Sequence, residues 1–204
     1  MNNNIEKIFY INLDKRPDRL EQIKDEIFKF GLQDKTERFT AIYDSVGIVG
    51  CSKSHLSVLK ISKERGYKNV LILEDDFYFV VSKGEFENNL KLFFDNIKDF
   101  DVCMISYNLN KSEEVIEHPF LLKILDGQTA SGYIVNERYY DTLINLYEES
   151  IPLLEQTGKH WIYANDQIWK QLQVKDTWYC LKTRIGKQRC GFSDNANSYT
   201  NYDC

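Results

Sequence analysis

Apolar residues recur along the chain with two different periods, and segments of the two kinds alternate. The run at residues 70–73 (VLIL) is continuous, which predicts a strand that helices cover on both faces. Shorter apolar runs of the same kind predict further strands. The predicted strands are residues 8–13, 38–42, 70–73, 102–106 and 133–135.

Between these runs the apolar residues are spaced three and four apart, which is typical of helices packed on one face. Leu20, Ile23, Ile27 and Phe30 follow this spacing, and Gly31 provides a helix end. Similar patterns predict helices around residues 50–65, 86–97, 140–147 and 164–172. The alternation predicts an α/β fold with a Rossmann-type, mostly parallel central sheet flanked by helices.

Three carboxylates, Glu74, Asp75 and Asp76, follow the 70–73 run directly. In open α/β sheets ligands bind beyond the carboxyl ends of the strands, so this is where a site is expected. Adjacent carboxylates repel one another, and Mg²⁺ or Mn²⁺ prefers the oxygen ligands they supply. The triplet alone leaves a solvated acidic turn as the alternative. Its position after a buried strand favours a metal site.

Composition and charge indicate the number of domains, the class of partner and the compartment. The 204 residues, 43% of them hydrophobic, suit a single domain spanning 1–204, with the polar stretch 191–204 predicted to be a mobile tail. A net charge of -5 argues against nucleic acid as a partner. The first apolar stretch is too short for a signal or transmembrane segment. Five cysteines without C-x-x-C spacing indicate reduced thiols, and we expect a cytoplasmic protein.

Five short motifs stand in order along the chain: residues 11–20 (INLDKRPDRL), Gly50-Cys51 with Ser54-His55-Leu56, residues 73–76 (LEDD), residues 165–167 (NDQ) and residues 193–194 (SD). Their order and spacing resemble the family 25 glycosyltransferases, which include bacterial lipooligosaccharide transferases and collagen β-galactosyltransferases. The resemblance spans nearly the whole chain. Each motif by itself is common.

The resemblance implies a GT-A-like fold, a UDP-sugar donor, Mn²⁺ or Mg²⁺, and transfer of a hexose to a glycan or glycoprotein acceptor with inversion. It makes Asp76 the first metal ligand, assisted by Glu74. Because no histidine follows His160, the third ligand is expected to be a carboxylate such as Asp194, or water. The residues expected to bind the donor are Asn12, Leu13, Arg16, Arg19, Lys53, Ser54, Glu74 and Asp75.

An inverting transfer needs a base to take the acceptor proton, and Asp166 is the candidate. From the residues alone, an Asp at a helix start is most often an N-cap. The resemblance shifts the interpretation towards catalysis. In that case exposed N–H groups at the helix start are expected to keep Asp166 ionised.

Several side chains fit two interpretations, one as part of a binding site and one as a structural residue. Arg16 and Arg19 are suited to phosphate, but also to surface ion pairs with Asp18 or Glu21. Lys53 and Ser54 are expected near a helix N-terminus, where anions bind. His55 is spaced to be a buried, hydrogen-bonded histidine rather than a ligand. Trp169, three residues after Asp166, is either core or a face for an acceptor sugar.

Two rival functions use the same residues. One is a non-catalytic module on this fold that binds nucleotide or glycan, since binding needs the acidic cluster but no base. The other, less favoured, is a metal-dependent phosphatase or nuclease, because Asp14 is followed by Lys15-Arg16 and not by a second Asp two positions on. The chain is short for the family, so three arrangements of the acceptor subsite stay open: a reduced subsite, one supplied by a partner subunit of a homo-oligomer, or one formed on a larger substrate.

Overall fold

The computed structural model describes residues 4–193 and 198–200. The strands are β1 Lys7–Asn12, β2 Thr36–Thr40, β3 Asn69–Glu74, β4 Phe77–Phe79, β5 Val102–Met104, β6 Asn108–Glu114, β7 Leu121–Gln128, β8 Gly132–Asn136, β9 Trp178–Leu181, β10 Gly186–Gln188, β11 Gly191–Ser193 and β12 Ser198–Thr200. The helices are α1 Pro17–Phe30, α2 Gly47–Glu64, α3 Lys83–Asn96, α4 Tyr140–Thr157, α5 His160–Tyr163, α6 Asn165–Ile168 and α7 Lys170–Gln173. Short 3₁₀ turns cover Gln33–Lys35 and Glu137–Tyr139.

Eight strands form one central sheet in the order β2-β1-β3-β8-β5-β9-β7-β6. Six of them run in one direction, while β7 and β8 run in the other, so the sheet is mostly parallel. The predicted α/β class is confirmed. The run at 133–135 is a strand as predicted, but β8 lies antiparallel between β3 and β5.

Side chains of β3 alternate between two cores, one on each face of the sheet. Leu71 and Leu73 pack with α1 and α3, whereas Val70 and Ile72 pack with α2 and α4. This two-sided burial explains why the run is apolar without a break. α1 ends at Gly31, whose φ of 67° is the left-handed conformation that glycine adopts readily.

Several predicted helices have other bounds in the structure: α3 begins three residues before the predicted 86–97, and α4 runs ten residues beyond the predicted 140–147. The helix expected from residue 50 begins at Gly47. Gly50 lies inside it at a close-packed position, since a Cβ there would lie 2.5 Å from the carbonyl oxygen of Ile42. The helix expected over 164–172 is divided into α6 and α7. The strand expected at 38–42 is β2, two residues earlier. Within the predicted tail, the described residues form the β11–β12 ladder.

Candidate functional site

The carboxyl ends of β1 and β3 lie side by side. Ile11 pairs with Glu74 in the parallel register, which brings Asn12 next to Asp75. The Nδ2 of Asn12 donates to Asp75 Oδ2 at 2.7 Å, and its Oδ1 accepts from Arg38. Asn12 is only 1% exposed, and through these hydrogen bonds it positions Asp75.

Arg19, in the first turn of α1, joins two of the three carboxylates. Its Nη1 lies 3.0 Å from Asp75 Oδ1 and 2.9 Å from Asp76 Oδ2, and all three side chains are largely buried. The surface ion pair considered for this arginine is therefore replaced by a buried one. For Arg16 the surface pair is present, as its guanidinium makes two hydrogen bonds to Asp18.

The two carboxylate oxygens of Asp76 differ in their hydrogen bonds. Its Oδ2 also accepts from Gln188 Nε2 at 3.0 Å, but the buried Oδ1 has no hydrogen-bond partner among the described residues. Burial and then the charge of Glu74 raise the pKa of Asp76 to about 7, although Arg19 opposes this. A buried acceptor without a donor is costly, and a bound cation would satisfy it.

Glu74 faces a different set of partners. Its Oε1 accepts from Cys51 Sγ at 3.3 Å and lies 3.1 Å from His55 Nε2, while His55 Nδ1 lies 2.8 Å from Tyr133 Oη. Burial would raise the pKa of Glu74, but the hydrogen bond and charge of His55 outweigh it and lower that pKa. His55 is fully buried and hydrogen-bonded, as its helical spacing indicates.

A cavity of about 180 Å³ lies in front of the acidic cluster. One wall comes from the loop after β1 and the first turn of α1, and the other from residues 41–45 and the start of α2. Of the residues expected to bind a donor or metal, those that line this cavity are Leu13, Arg16, Arg19, Ser54, Glu74, Asp75 and Asp76.

Lys53 and Ser54 are not at a helix start, because α2 begins at Gly47 and both lie beyond its first turn. The expectation that they lie near a helix N-terminus is wrong. Lys53 forms ion pairs with Asp44 and Glu155. The Ser54 hydroxyl donates to the carbonyl of Gly50 and accepts from the backbone of Ile42, so it fixes the wall of the cavity.

Asp166 lies in the first turn of α6, and the N-cap position belongs to Ala164. Its Oδ2 accepts from the backbone N–H of Thr129 at 3.2 Å. Burial raises the pKa of Asp166 although this hydrogen bond opposes it, and the charge of Glu74 adds to the rise. Burial therefore opposes the ionisation of Asp166 that N–H groups at the helix start were expected to favour.

Two predicted positions remain: Trp169, which is buried, and Asp194, which is not among the described residues. Trp169 is fully buried, and its Nε1 donates to the carbonyl of Gly127 at 3.0 Å, so it belongs to the core. Asp194 lies outside the described residues. Gln188 is a site residue that the patterns did not single out, and Cys51, part of the Gly50-Cys51 motif, was given no role at the site. Gln188 reaches Asp76 only because β10 pairs with β4, which no local pattern reveals.

The comparisons with known proteins give the fold. No protein family model matches the chain, and no curated protein is similar in sequence. Mannose-1-phosphate geranyltransferase from Thermus thermophilus is similar in structure, with a TM-score of 0.54 and 8% identity over 91% of this chain and 74% of that one. A glycosyltransferase involved in glycosylation of the major capsid of PBCV-1 has a TM-score of 0.53 and 8% identity over 94% and 96%.

The apo form of the glycosyltransferase GlyE in Streptococcus pneumoniae TIGR4 is similar too, with a TM-score of 0.50 and 9% identity over 87% of this chain and 45% of that one. At these identities the likeness establishes a shared GT-A-like α/β fold. Within the described residues, none of the helices has the length and apolar character needed to cross a membrane.

Proposed function

We propose that this chain is a metal-dependent glycosyltransferase that moves a hexose from a UDP-sugar to an acceptor hydroxyl with inversion. The observation that carries the proposal is the unpartnered, buried Oδ1 of Asp76, in a side chain that lines the cavity at the end of β3. The fold shared with two solved glycosyltransferases supports it. The resemblance of the ordered motifs to family 25 adds the donor and the stereochemistry.

The residues fit a hard divalent cation. Asp76 offers one free carboxylate oxygen, and Glu74 lies near enough for its charge to raise the pKa of Asp76. Mg²⁺ and Mn²⁺ are typically held by one or two carboxylates, with water and substrate phosphates completing the shell. When bound, the ion stabilises negative charge on the departing nucleoside diphosphate as a Lewis acid.

The protein residues have separate tasks in this proposal. Arg19 and Asn12 hold Asp75 and Asp76 in place, and Arg16 on the cavity wall offers a guanidinium to phosphate. Asp166 takes the proton from the acceptor hydroxyl. The acceptor oxygen then forms the new bond to the anomeric carbon as the bond from that carbon to the diphosphate breaks, and UDP leaves.

The test is thermal unfolding with UDP, with and without Mn²⁺. UDP should raise the unfolding midpoint only when Mn²⁺ or Mg²⁺ is present, and Asp76→Asn should abolish that shift. Asp95→Asn is the matched control, because this exposed carboxylate pairs with Lys91 on α3 and does not line the cavity. A UDP shift that is independent of metal would overturn the metal assignment.

Turnover separates a transferase from a non-catalytic module on the same fold. Release of UDP should be measured for a panel of UDP-sugars with water and with glycan or glycoprotein acceptors. Release from one donor identifies the sugar. Metal-dependent UDP binding without release from any donor would favour the module.

A further inference from the structure

Three side chains of different chemistry meet beside the acidic turn. Cys51 and His55 lie one turn apart on α2, and Glu74 ends β3. The Sγ of Cys51, the Nε2 of His55 and a carboxylate oxygen of Glu74 all lie within 4.8 Å of one another. The proposed transfer uses Glu74 but gives Cys51 and His55 no role.

Their spacing suits a tetrahedral ion. Metal bonds of about 2.3 Å to sulfur and about 2.0–2.2 Å to nitrogen and oxygen, at tetrahedral angles, place neighbouring ligand atoms roughly 3.3–3.6 Å apart. Glu74 Oε1 lies 3.3 Å from Cys51 Sγ and 3.1 Å from His55 Nε2. Shifts of a few tenths of an ångström would bring these two pairs to the spacing of metal ligands, and the remaining pair, Sγ and Nε2, lies within 4.8 Å.

The surroundings of the cluster support the same assignment. Tyr133 Oη lies 2.8 Å from His55 Nδ1, which fixes the ring and leaves Nε2 directed at Glu74. A metal-bound histidine generally has such a partner on its second nitrogen. Burial, and then the negative charges of Glu74, Asp166 and Asp76, raise the pKa of the Cys51 thiol, and a bound cation would offset that negative charge. Cys51 and Glu74 line the cavity, which gives an ion an entry path.

We infer that Cys51, His55 and Glu74 form a Zn²⁺ site, chemically different from the oxygen site at Asp76. Thiolate and imidazole ligands favour Zn²⁺ over Mn²⁺ and Mg²⁺, which prefer oxygen. Binding releases the thiol proton to solvent, and the thiolate and the Glu74 carboxylate together neutralise the ion. The inference does not depend on the chain being a glycosyltransferase.

The test uses Co²⁺ alone as a spectroscopic probe of the full chain. The wild-type protein should bind Co²⁺ with a thiolate-to-cobalt charge-transfer band that Zn²⁺ displaces. Cys51→Ser should lose the band, whereas Cys190→Ser, at an exposed thiol, should keep it. Absence of the band in the wild type, or an unchanged band in Cys51→Ser, would overturn the inference.

A second measurement needs no variant. Zn²⁺ should slow alkylation of Cys51 at least tenfold, as mapped by mass spectrometry, and leave Cys190 unaffected. Equal alkylation of Cys51 with and without Zn²⁺ would contradict the site. Asp76→Asn should keep the Co²⁺ band while losing the UDP shift, so failure of one site is distinguishable from failure of the other.

Discussion

The backbone N–H of Thr129 donates to Asp166 Oδ2 at 3.2 Å, and Thr129 does so from a backbone conformation with a φ of 86°. Positive φ is strained for a β-branched residue. Two residues on, the carbonyl of Ser131 accepts from the N–H of Glu74 at 2.9 Å. The strained residue therefore lies in the loop that joins the proposed base to the acidic cluster, and strain of this kind concentrates at functional sites.

Replacing Thr129 with Gly should stabilise the protein. Glycine adopts positive φ without the steric cost of roughly 1–2 kcal/mol, which its larger entropy loss on folding offsets in part. The net gain is expected to be about 0.5–1 kcal/mol, measured by denaturant unfolding. Thr36→Gly is the control, because Thr36 has a φ of -100° and should only lose stability. Equal losses in both variants would contradict the strain.

Asp166→Asn should separate binding from transfer. The amide keeps the shape of the side chain but accepts no proton, so we expect kcat to fall by about 10²- to 10⁴-fold while the metal-dependent UDP shift is retained. Asp126→Asn is the control. Asp126 is partly exposed, forms an ion pair with Lys170 and has no role in the proposed transfer. Transfer at the wild-type rate by Asp166→Asn would reject this residue as the base.

The pH profile of transfer gives an independent check on the base. Asp166 acts only when deprotonated, and burial raises its pKa from the usual 3.8. Activity should therefore fall as the pH drops through a value above 3.8, and it should be present above that value. With saturating Mn²⁺, which keeps Asp76 deprotonated, the residual rate of Asp166→Asn should lack this acidic limb. A wild-type rate that is flat across the acidic range would show that no such carboxylate controls the step.

The acidic site was predictable because its signal is local. Residues 70–73 are apolar on both faces, and three carboxylates end the run, so position and chemistry are both visible in the sequence. The edge hairpin was not predicted. β6, with the sequence NLNKSEE, is mostly exposed at the edge of the sheet, and its polar residues carry no strand periodicity.

Contacts between residues far apart in the sequence also could not be predicted from local patterns. Gln188 reaches Asp76 through the pairing of β10 with β4, and Thr129 reaches Asp166 through the turn before β8. The burial of each carboxylate was also not visible in the sequence. A helix-start position suggested an easily ionised Asp166, whereas its surroundings raise the pKa. Sequence pattern therefore located the carboxylates but not their protonation behaviour.

Gly186→Ala should disturb the acidic turn through packing alone. A Cβ at position 186 would lie 2.1 Å from the ring of Phe77, the residue that follows Asp76. The ring must move, which we expect to cost about 1–3 kcal/mol of unfolding free energy and to weaken metal-dependent UDP binding. Gly84→Ala is the control, because nothing lies within 4 Å of a Cβ there and α3 should tolerate alanine. Equal stability of the two variants would contradict the close packing.

Arg19→Met tests whether this arginine holds two carboxylates that would otherwise repel. Both ion pairs are largely buried, so we expect denaturant unfolding to show a loss of about 2–4 kcal/mol without metal. Arg65→Met should change little, because its pair with Glu37 is exposed. A cation at Asp76 would offset part of the same repulsion between the carboxylates. Mn²⁺ should therefore raise the unfolding free energy of Arg19→Met more than that of the wild type. If Mn²⁺ stabilises the two proteins equally, the ion does not act on the carboxylates that Arg19 holds.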